Sequence, residues 1–261
     1  MKILLAASAV SLALAAGSAS ATTNLVKNGD FNLGPAHNTE FGQKFGPGHL
    51  LGGQLVPNWM GGPSSHQLQF FYNGGTQTTQ NAFNVGNDPN AYFFNSFSTL
   101  SPHGGGNFVA LDGDPGYKGI ISQTINNLIV GQNYTLRFDW GAAQLRNRHG
   151  KITEKLQVTL GGNSFFTPVD SIVGNVGLTG GPGGFSGWST ISHVFTATAA
   201  HETLSFLSIG TPAGLPPVAV LDSISLTGRV PEPASWALML VGFGGLGAVL
   251  RRRRSVAALA A

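Results

Sequence analysis

A carboxylate in an otherwise apolar strand is the first feature of the sequence that could do chemistry. Asp222 lies in the middle of one alternating face of a predicted strand over 218–226. The other residues of that face are apolar: Val218, Val220, Ile224 and Leu226. Burying a carboxylate in such a row is costly unless it is hydrogen-bonded, paired or bound to a metal ion. Two interpretations follow: a structural Ca²⁺ site with Asp30 and Asn32 as co-ligands, or an Asp held by hydrogen bonds.

Two further carboxylates belong to a short turn-forming segment. Asp112 and Asp114 lie in the run Asp-Gly-Asp-Pro-Gly at 112–116. Asp-Gly and Asp-Pro-Gly favour turns because the short acid side chain bonds to nearby backbone and glycine tolerates positive φ. The alternative is that these carboxylates contact a ligand or an ion, and the sequence leaves both open.

Aromatic side chains are the second group of candidates, because flat rings can stack on the C–H faces of sugars. Tyr72 and Tyr92 flank a loop-rich region and are the candidate ligand contacts. Alternation places Tyr134 and Trp140 in the core. Burial in the core is also the alternative for the other aromatic residues, among them Trp59 and Trp188.

One basic cluster lies within the central part of the chain. It reads Arg146-Asn-Arg148-His-Gly-Lys. Guanidinium groups pair well with carboxylates, so Arg146 and Arg148 are candidate contacts for an acidic polysaccharide. The alternative is a solvated loop.

The sequence offers no convincing catalytic site. It has no cysteine, which excludes thiolate chemistry, and its seven histidines form no His-Glu-x-x-His pair. Glycosidases need two carboxyl groups across one cleft, and nothing in the sequence pairs Asp112, Asp114, Asp139 or Glu154. We therefore expect no enzyme and no catalytic residue, with a polysaccharide-modifying enzyme as the remaining alternative.

Strands must position these residues, since short apolar or alternating runs recur between Gly, Pro and Asn turns. The clearest strands are 134–140 and 156–160. Further candidates are 24–31, 67–72, 91–94, 107–111, 119–125, 188–198, 203–209 and 217–226. About ten strands predict an all-β jelly-roll sandwich. The stretches 34–54, 73–90 and 173–187 are predicted to be long loops.

Both ends of the chain differ from this pattern. Met1-Lys2, an apolar run and the ending Ala19-Ser-Ala21 make a signal peptide that is a helix before cleavage after Ala21, which predicts export by the Sec machinery. Near the other end, 234–250 carries no charge. A helix of this length approaches the bilayer's hydrocarbon thickness, so we expect one transmembrane helix in the inner membrane.

The C-terminal end also resembles a known sorting signal. Pro231-Glu232-Pro233, Trp236-Ala, a Gly-rich span and the cluster Arg251, Arg252, Arg253 and Arg254 resemble the PEPxxWA form of the PEP-CTERM signal. The resemblance implies processing by an exosortase. It also implies association with exopolysaccharide or biofilm.

Without these ends the chain is nearly neutral. Removing Lys2, the four tail arginines and Glu232 leaves nine basic and ten acidic residues in 22–230. This balance gives no electrostatic reason to expect nucleic acid as a partner.

The order of the segments carries a second resemblance. The segments 24–32, 56–59, 108–116, 121–125, 131–136 and 220–226 follow one another as in galactose-binding-like β-sandwich domains, including carbohydrate-binding modules and DUF642-type surface proteins. The resemblance implies a jelly roll, often with a structural Ca²⁺ and sometimes a sugar site. The family usually has an acidic residue where Asn32 stands and often a second Asp where Ser223 stands, and both departures weaken the calcium interpretation.

The sequence therefore predicts a signal peptide (1–21), a β-sandwich (22–229), a sorting and transmembrane segment (230–254) and a cytoplasmic tail (255–261). The main expectation is a non-catalytic surface module that binds extracellular polysaccharide or matrix. It would be anchored facing the periplasm and reach the cell surface or the medium after tail processing. The alternative is a structural or adhesive matrix protein without a ligand site.

Overall fold

The computed structural model describes most of the central part of the chain. The described residues are 22–34, 39–43, 50–51, 56–62, 69–72, 106–144, 150–174, 185–215, 217–229 and 242–243. Thr23–Gly228 forms one unit, called the body below, and the two ends belong to a second unit. Within the described residues, no helix has the length and apolar character needed to cross a bilayer.

The described part of the body consists of β-strands. In chain order they are β1 Thr22–Asn24, β2 Thr39–Gln43, β3 Leu50–Leu51, β4 Met60–Gly61, β5 Gln69–Tyr72, β6 Phe108–Asp112, β7 Ile120–Asn126, β8 Asn133–Gln144, β9 Gly150–Leu160, β10 Asn163–Phe166, β11 Asp170–Gly174, β12 Ser189–Thr196, β13 His201–Thr211 and β14 Pro217–Arg229. They form two antiparallel sheets, so the prediction of an all-β fold is confirmed.

The larger sheet contains eight strands. Seven of these strands follow the order β12-β8-β14-β6-β5-β2-β3. The eighth, β1, also pairs with β14. The last strand, β14, lies between β8 and β6. In this register Val220 lies opposite Gly141 on one side and Ala110 on the other. The C-terminal strand thus completes the middle of the sheet.

The smaller sheet contains six strands. Its order is β10-β9-β13-β7-β4, and β11 pairs with the other end of β9. The long strands β9 and β13 pair side by side over eight residue pairs, from Leu204 opposite Leu160 to Thr211 opposite Thr153.

The core lies between the two sheets and follows the alternation of each strand. Along β8, Tyr134, Leu136, Phe138 and Trp140 are buried in it, as their spacing predicts. Aromatic rings fill its centre, where Phe206 lies 5.1 Å from Phe138 between ring centroids. Rings of this size bury much apolar area, which drives the two sheets together.

The first predicted strand, 24–31, is wrong beyond Asn24. β1 ends there, and the chain turns through Asn28 (φ 52°) and Phe31 (φ 53°), which lie in the left-handed region. The turn carries the Phe31 ring into the core, 5.6 Å from the ring of Trp59. Burial of Phe31 therefore outweighs the local preference for an extended chain.

The predicted loop 34–54 is also wrong in part, because β2 and β3 fall within it. Its glycines suggested a loop, but β2 extends the larger sheet by pairing with β5. The predicted loop 73–90 and the predicted strand 91–94 lie outside the described residues.

The last strand contains a bulge that the alternation does not reveal. The register of β14 against β8 shifts between Asp222 and Ser225, and Ser223 has φ 55°. As a result Ile224 belongs to the core, whereas Asp222 lies on the opposite face. The prediction that these two side chains share a face is wrong.

Candidate functional site

The face of the larger sheet that points away from the core carries the most unusual set of side chains. Val109 and Leu111 belong to the core, as do Ala219 and Leu221. The residues that alternate with the core residues on the three central strands form the outer face: Phe108, Ala110, Asp112, Asp139, Gly141, Val218, Val220 and Asp222. The side chains of this face are buried rather than solvated.

Three aromatic residues meet on this outer face. Trp188 packs edge-to-face against Phe108 at 5.9 Å and against Phe185 at 5.6 Å. Phe108 is buried, whereas Phe185 and Trp188 are half-buried. We call these three residues the outer-face cluster. The rings of Phe185 and Trp188 are therefore partly exposed.

Glycine allows the segment carrying Phe185 and Trp188 to lie directly on the sheet. A Cβ at Gly141 would clash with the Gly187 carbonyl and come within 2.7 Å of the Phe185 ring. Gly187 itself has φ 91°, and Phe185 pairs with Ala143. The close approach therefore depends on two glycines that no aromatic pattern would identify.

The indole N–H of Trp188 is an unused donor. Its Nε1 is buried and finds no hydrogen-bond acceptor among the described residues. A buried indole N–H normally has a partner, and leaving it unpaired costs free energy. The cluster thus combines an aromatic surface with a donor that a ligand oxygen could satisfy.

Two carboxylates lie on the same face. Asp139 and Asp222 are cross-strand neighbours, and both are buried. Thr190 of β12 donates its hydroxyl to Asp139 Oδ1, and the Ser223 N–H donates to Asp222 Oδ1 at 2.6 Å. Both carboxylates therefore accept hydrogen bonds from within the protein.

A second group of carboxylates, Glu154 on β9 and Asp112 at the end of β6, is also buried. Glu154 of β9 points inward with the apolar residues of its strand and is fully buried. Its Oε1 accepts hydrogen bonds from Ser208 Oγ (3.0 Å), Ile209 N (3.0 Å) and Lys155 N (2.9 Å). Its Oε2 has no partner among the described residues.

The charge of this second group is suppressed. Burial raises the pKa of Glu154 to about 8. The hydrogen bonds from Ser208 and the backbone act to lower it, and the charge of Asp112 acts to raise it. Burial likewise raises the pKa of Asp112 to about 7. The hydrogen bond from the Asp114 N–H acts to lower this pKa, and the charge of Asp114 acts to raise it. The structure therefore couples Asp112 to Glu154, which the sequence left unpaired.

The turn at 112–116 uses its carboxylates for backbone hydrogen bonds. Asp112 Oδ1 accepts from Asp114 N at 2.8 Å, and Asp114 Oδ1 accepts from Gly116 N at 2.8 Å. Asp114 Oδ2 accepts from Gly214 N at 2.6 Å, across to the loop after β13. Both carboxylates are buried, so these bonds serve the turn.

The calcium candidates lie in two different settings. Asp30 and Asn32 are exposed, and Asn32 Nδ2 donates to Asp30 Oδ2 at 2.7 Å. Asp222 is buried on the outer face of the larger sheet. Within the described residues, no three His, Cys, Asp or Glu side chains form a group that could hold a metal ion. The donor set around Asp30 does not fit Ca²⁺, which favours several anionic oxygens.

Of the remaining predicted ligand contacts, only Tyr72 lies within the described residues. Tyr72 ends β5 and lies opposite Phe108 in the register, next to the outer-face cluster. Tyr92, Arg146 and Arg148 lie outside the described residues. So do the predicted cleavage residues Ala19 and Ala21 and the sorting residues from 231 onward.

Sequence reasoning missed Phe108 and Phe185 and left Trp188 open between a ligand contact and core burial. It named Glu154 only as an unpaired carboxyl, although the argument applied to Asp222 identifies it as a buried acid. Glu154 interrupts the apolar alternation of Ile152, Leu156 and Val158. No comparable signal predicts which aromatic residues lie on an outer face.

A comparison with protein families matches residues 229–254 to the PEP-CTERM protein-sorting motif. The chain carries this motif, which marks an exported protein that is transiently anchored in the membrane. A comparison with curated proteins gives no match.

Several of the solved structures that are similar to this chain are carbohydrate-binding modules. TmCBM61 in complex with β-1,4-galactotriose is 16% identical, with a TM-score of 0.39, over 78% of this chain and 97% of that chain. A CBM4 structure is 13% identical, with a TM-score of 0.31, over 78% and 99%. The CBM22-1 xylan-binding domain of Paenibacillus barcinonensis Xyn10C is 7% identical, with a TM-score of 0.32, over 52% and 80%. These identities are too low to carry over any ligand.

Proposed function

We propose that this exported protein is a non-catalytic surface module that binds polysaccharide through the outer-face cluster. The observation that carries the proposal is the half-buried indole of Trp188, packed on Phe108 and Phe185 with its buried N–H unpaired among the described residues. A sugar ring stacked on this surface would bury apolar C–H groups, and a sugar oxygen would accept the indole hydrogen bond.

The sorting motif supports the proposal independently. It marks the protein for export, and extracellular polysaccharide lies outside the cell. Matrix or biofilm association is part of the proposal.

The burial of the carboxylates also leads us to propose binding without catalysis. A glycosidase needs two carboxyl groups that face a cleft open to the substrate. The coupled pair Asp112 and Glu154 is buried, with Glu154 fully enclosed between the sheets. This pair therefore has a structural position rather than access to a glycosidic bond.

The test is binding of the purified full-length chain, in mild detergent, to a polysaccharide panel that includes the exopolysaccharide of its host. Affinity electrophoresis gives the relative dissociation constants. We expect saturable binding to at least one polysaccharide class. Trp188→Ala should weaken that binding by at least about tenfold, as expected for the loss of a central aromatic contact.

The matched control is Phe166→Ala, which removes an exposed phenyl ring on the smaller sheet. It should bind like the wild type. Trp188→Phe keeps an aromatic ring but removes the N–H, so an intermediate affinity is expected if the variant folds normally by circular dichroism. Failure of the folded wild type to bind any polysaccharide would overturn the proposal and favour a structural matrix protein. Unchanged binding by Trp188→Ala would move the site elsewhere.

A further inference from the structure

The loop at 27–33 has most of its backbone oxygens engaged by N–H donors. Five of the seven accept a hydrogen bond from a donor among the described residues. The bonds run from Gln123 Nε2 to Lys27 O (2.8 Å), Trp59 Nε1 to Asn28 O (2.9 Å), Ile224 N to Gly29 O (2.8 Å), Asn107 Nδ2 to Phe31 O (2.8 Å) and Asn28 Nδ2 to Leu33 O (2.7 Å). Four of these donors come from β7, β14 and the segments before β4 and β6, so the loop is tied to both sheets.

The carboxylate of the loop is engaged in the same way. Asp30 accepts from the Asn32 side chain at 2.7 Å and from the Asn32 backbone N–H at 3.3 Å. Asp30 is exposed, and Asn32 and Ser223 are neutral. Calcium affinity rises with the number of anionic ligands, and this loop offers one.

Gln123 is the central contact of this network. Gln123 belongs to β7, and its side chain is buried. Oε1 accepts from Lys27 N at 2.8 Å, while Nε2 donates to Lys27 O at 2.8 Å and to Asn58 O at 2.9 Å. One side chain thus satisfies three backbone groups of two separate segments.

We propose that amide side chains, with Gln123 at their centre, hold the loop at 27–33 in this protein and that the body folds without calcium. The fold resemblance implies a structural Ca²⁺, and the donor set does not fit one. Amides can replace the ion because a neutral N–H donor satisfies a carbonyl oxygen without requiring a second carboxylate. The inference is independent of polysaccharide binding, since it concerns only the stability of the body.

The experiment measures the melting temperature of the full-length chain with millimolar Ca²⁺ and with EGTA. We expect the two melting temperatures of the wild type to agree within about 1 °C. Gln123→Ala should lower the melting temperature by roughly 5–10 °C, because three backbone groups lose their partner. The decrease should be the same with Ca²⁺ and with EGTA.

The control is Asn163→Ala, which removes an exposed amide that makes one long bond, 3.3 Å, to Thr196 O. Its melting temperature should stay within about 1 °C of the wild type. A wild type stabilised by several degrees in Ca²⁺, with reversal by EGTA, would overturn the inference. So would a Gln123→Ala variant that melts like the control.

Discussion

Glu154 illustrates how a single residue can be stabilised without its charge. Its Oε1 collects three donors, while Oε2 packs against the backbone at Gly113 and Gly210, where a Cβ would clash. Oε2 therefore has close backbone neighbours and no hydrogen-bond donor among the described residues. The neutral acid is therefore the form that the fold favours, in agreement with the pKa of about 8.

This preference predicts a pH-dependent stability. The folded pKa of Glu154 lies above the ordinary value of 4.5, so the stabilisation it contributes is complete below pH 4.5 and is lost as the pH rises through about 8. Glu154→Gln removes the titration but keeps the shape. We expect the variant to melt roughly 5 °C higher than the wild type at pH 9, and to melt close to it at pH 4.

Melting temperatures measured from pH 4 to pH 9 check this expectation. Asp112, with its pKa raised to about 7, titrates in both proteins and adds a shared decline of stability between its ordinary value of 3.8 and about 7. The difference between the two curves isolates Glu154. A difference that is constant with pH would show that the pKa of Glu154 is the same in the folded and the unfolded protein, which would contradict the prediction.

The bulge in β14 decides what that strand presents to each side. Ser223 adopts φ 55°, which an L side chain reaches only at some cost, and its buried Oγ has no partner among the described residues. The bulge turns Asp222 to the outer face while Ile224 stays in the core. One irregular residue thus allows a strand to serve the core and the candidate site together.

Ser223→Gly is expected to stabilise the body by about 1 kcal/mol, which corresponds to roughly 2–4 °C. Glycine adopts positive φ without strain and removes the unpaired hydroxyl, and these gains outweigh its greater freedom in the unfolded chain. Thermal unfolding measures the change. Ser223→Val, which places a β-branched side chain at the same φ, should be destabilising. A destabilised Ser223→Gly variant would mean that the hydroxyl has an essential partner.

At the scale of the whole molecule, the body and the sorting motif are separate functional parts. The body is the unit Thr23–Gly228, and the motif begins at Arg229. The strands of the body take their hydrogen bonds from one another, as the pairing of β14 with both β6 and β8 shows. Changes within the motif should therefore alter processing and leave the fold of the body unchanged.

Replacing Pro231, Glu232 and Pro233 together by alanine tests this separation. Since exosortases act on the sorting motif, the variant should keep its tail, migrate at the higher mass of the precursor and remain with the membrane fraction. Immunoblots of cell fractions and of the medium measure this. Arg146→Ala, outside the motif, is the control and should be processed normally. Normal processing of the triple variant would show that this motif is not the signal used.

The sequence by itself determined the features that depend on near neighbours. Alternation predicted β8 and the burial of Tyr134 and Trp140, because a strand repeats every two residues whatever its partners are. The sorting motif at 229–254 is likewise a property of contiguous residues. The all-β class followed from many short strands separated by turn residues.

The tertiary structure alone decided which of these strands' faces became a candidate site. It placed Trp188 against Phe108 and brought Gln123 to Lys27, contacts between residues far apart in the chain. The bulge at Ser223 also reversed the face that alternation assigned to Asp222. The physical reason is that strand register and the covering of an outer face are set by pairing across the whole chain, which no local period encodes.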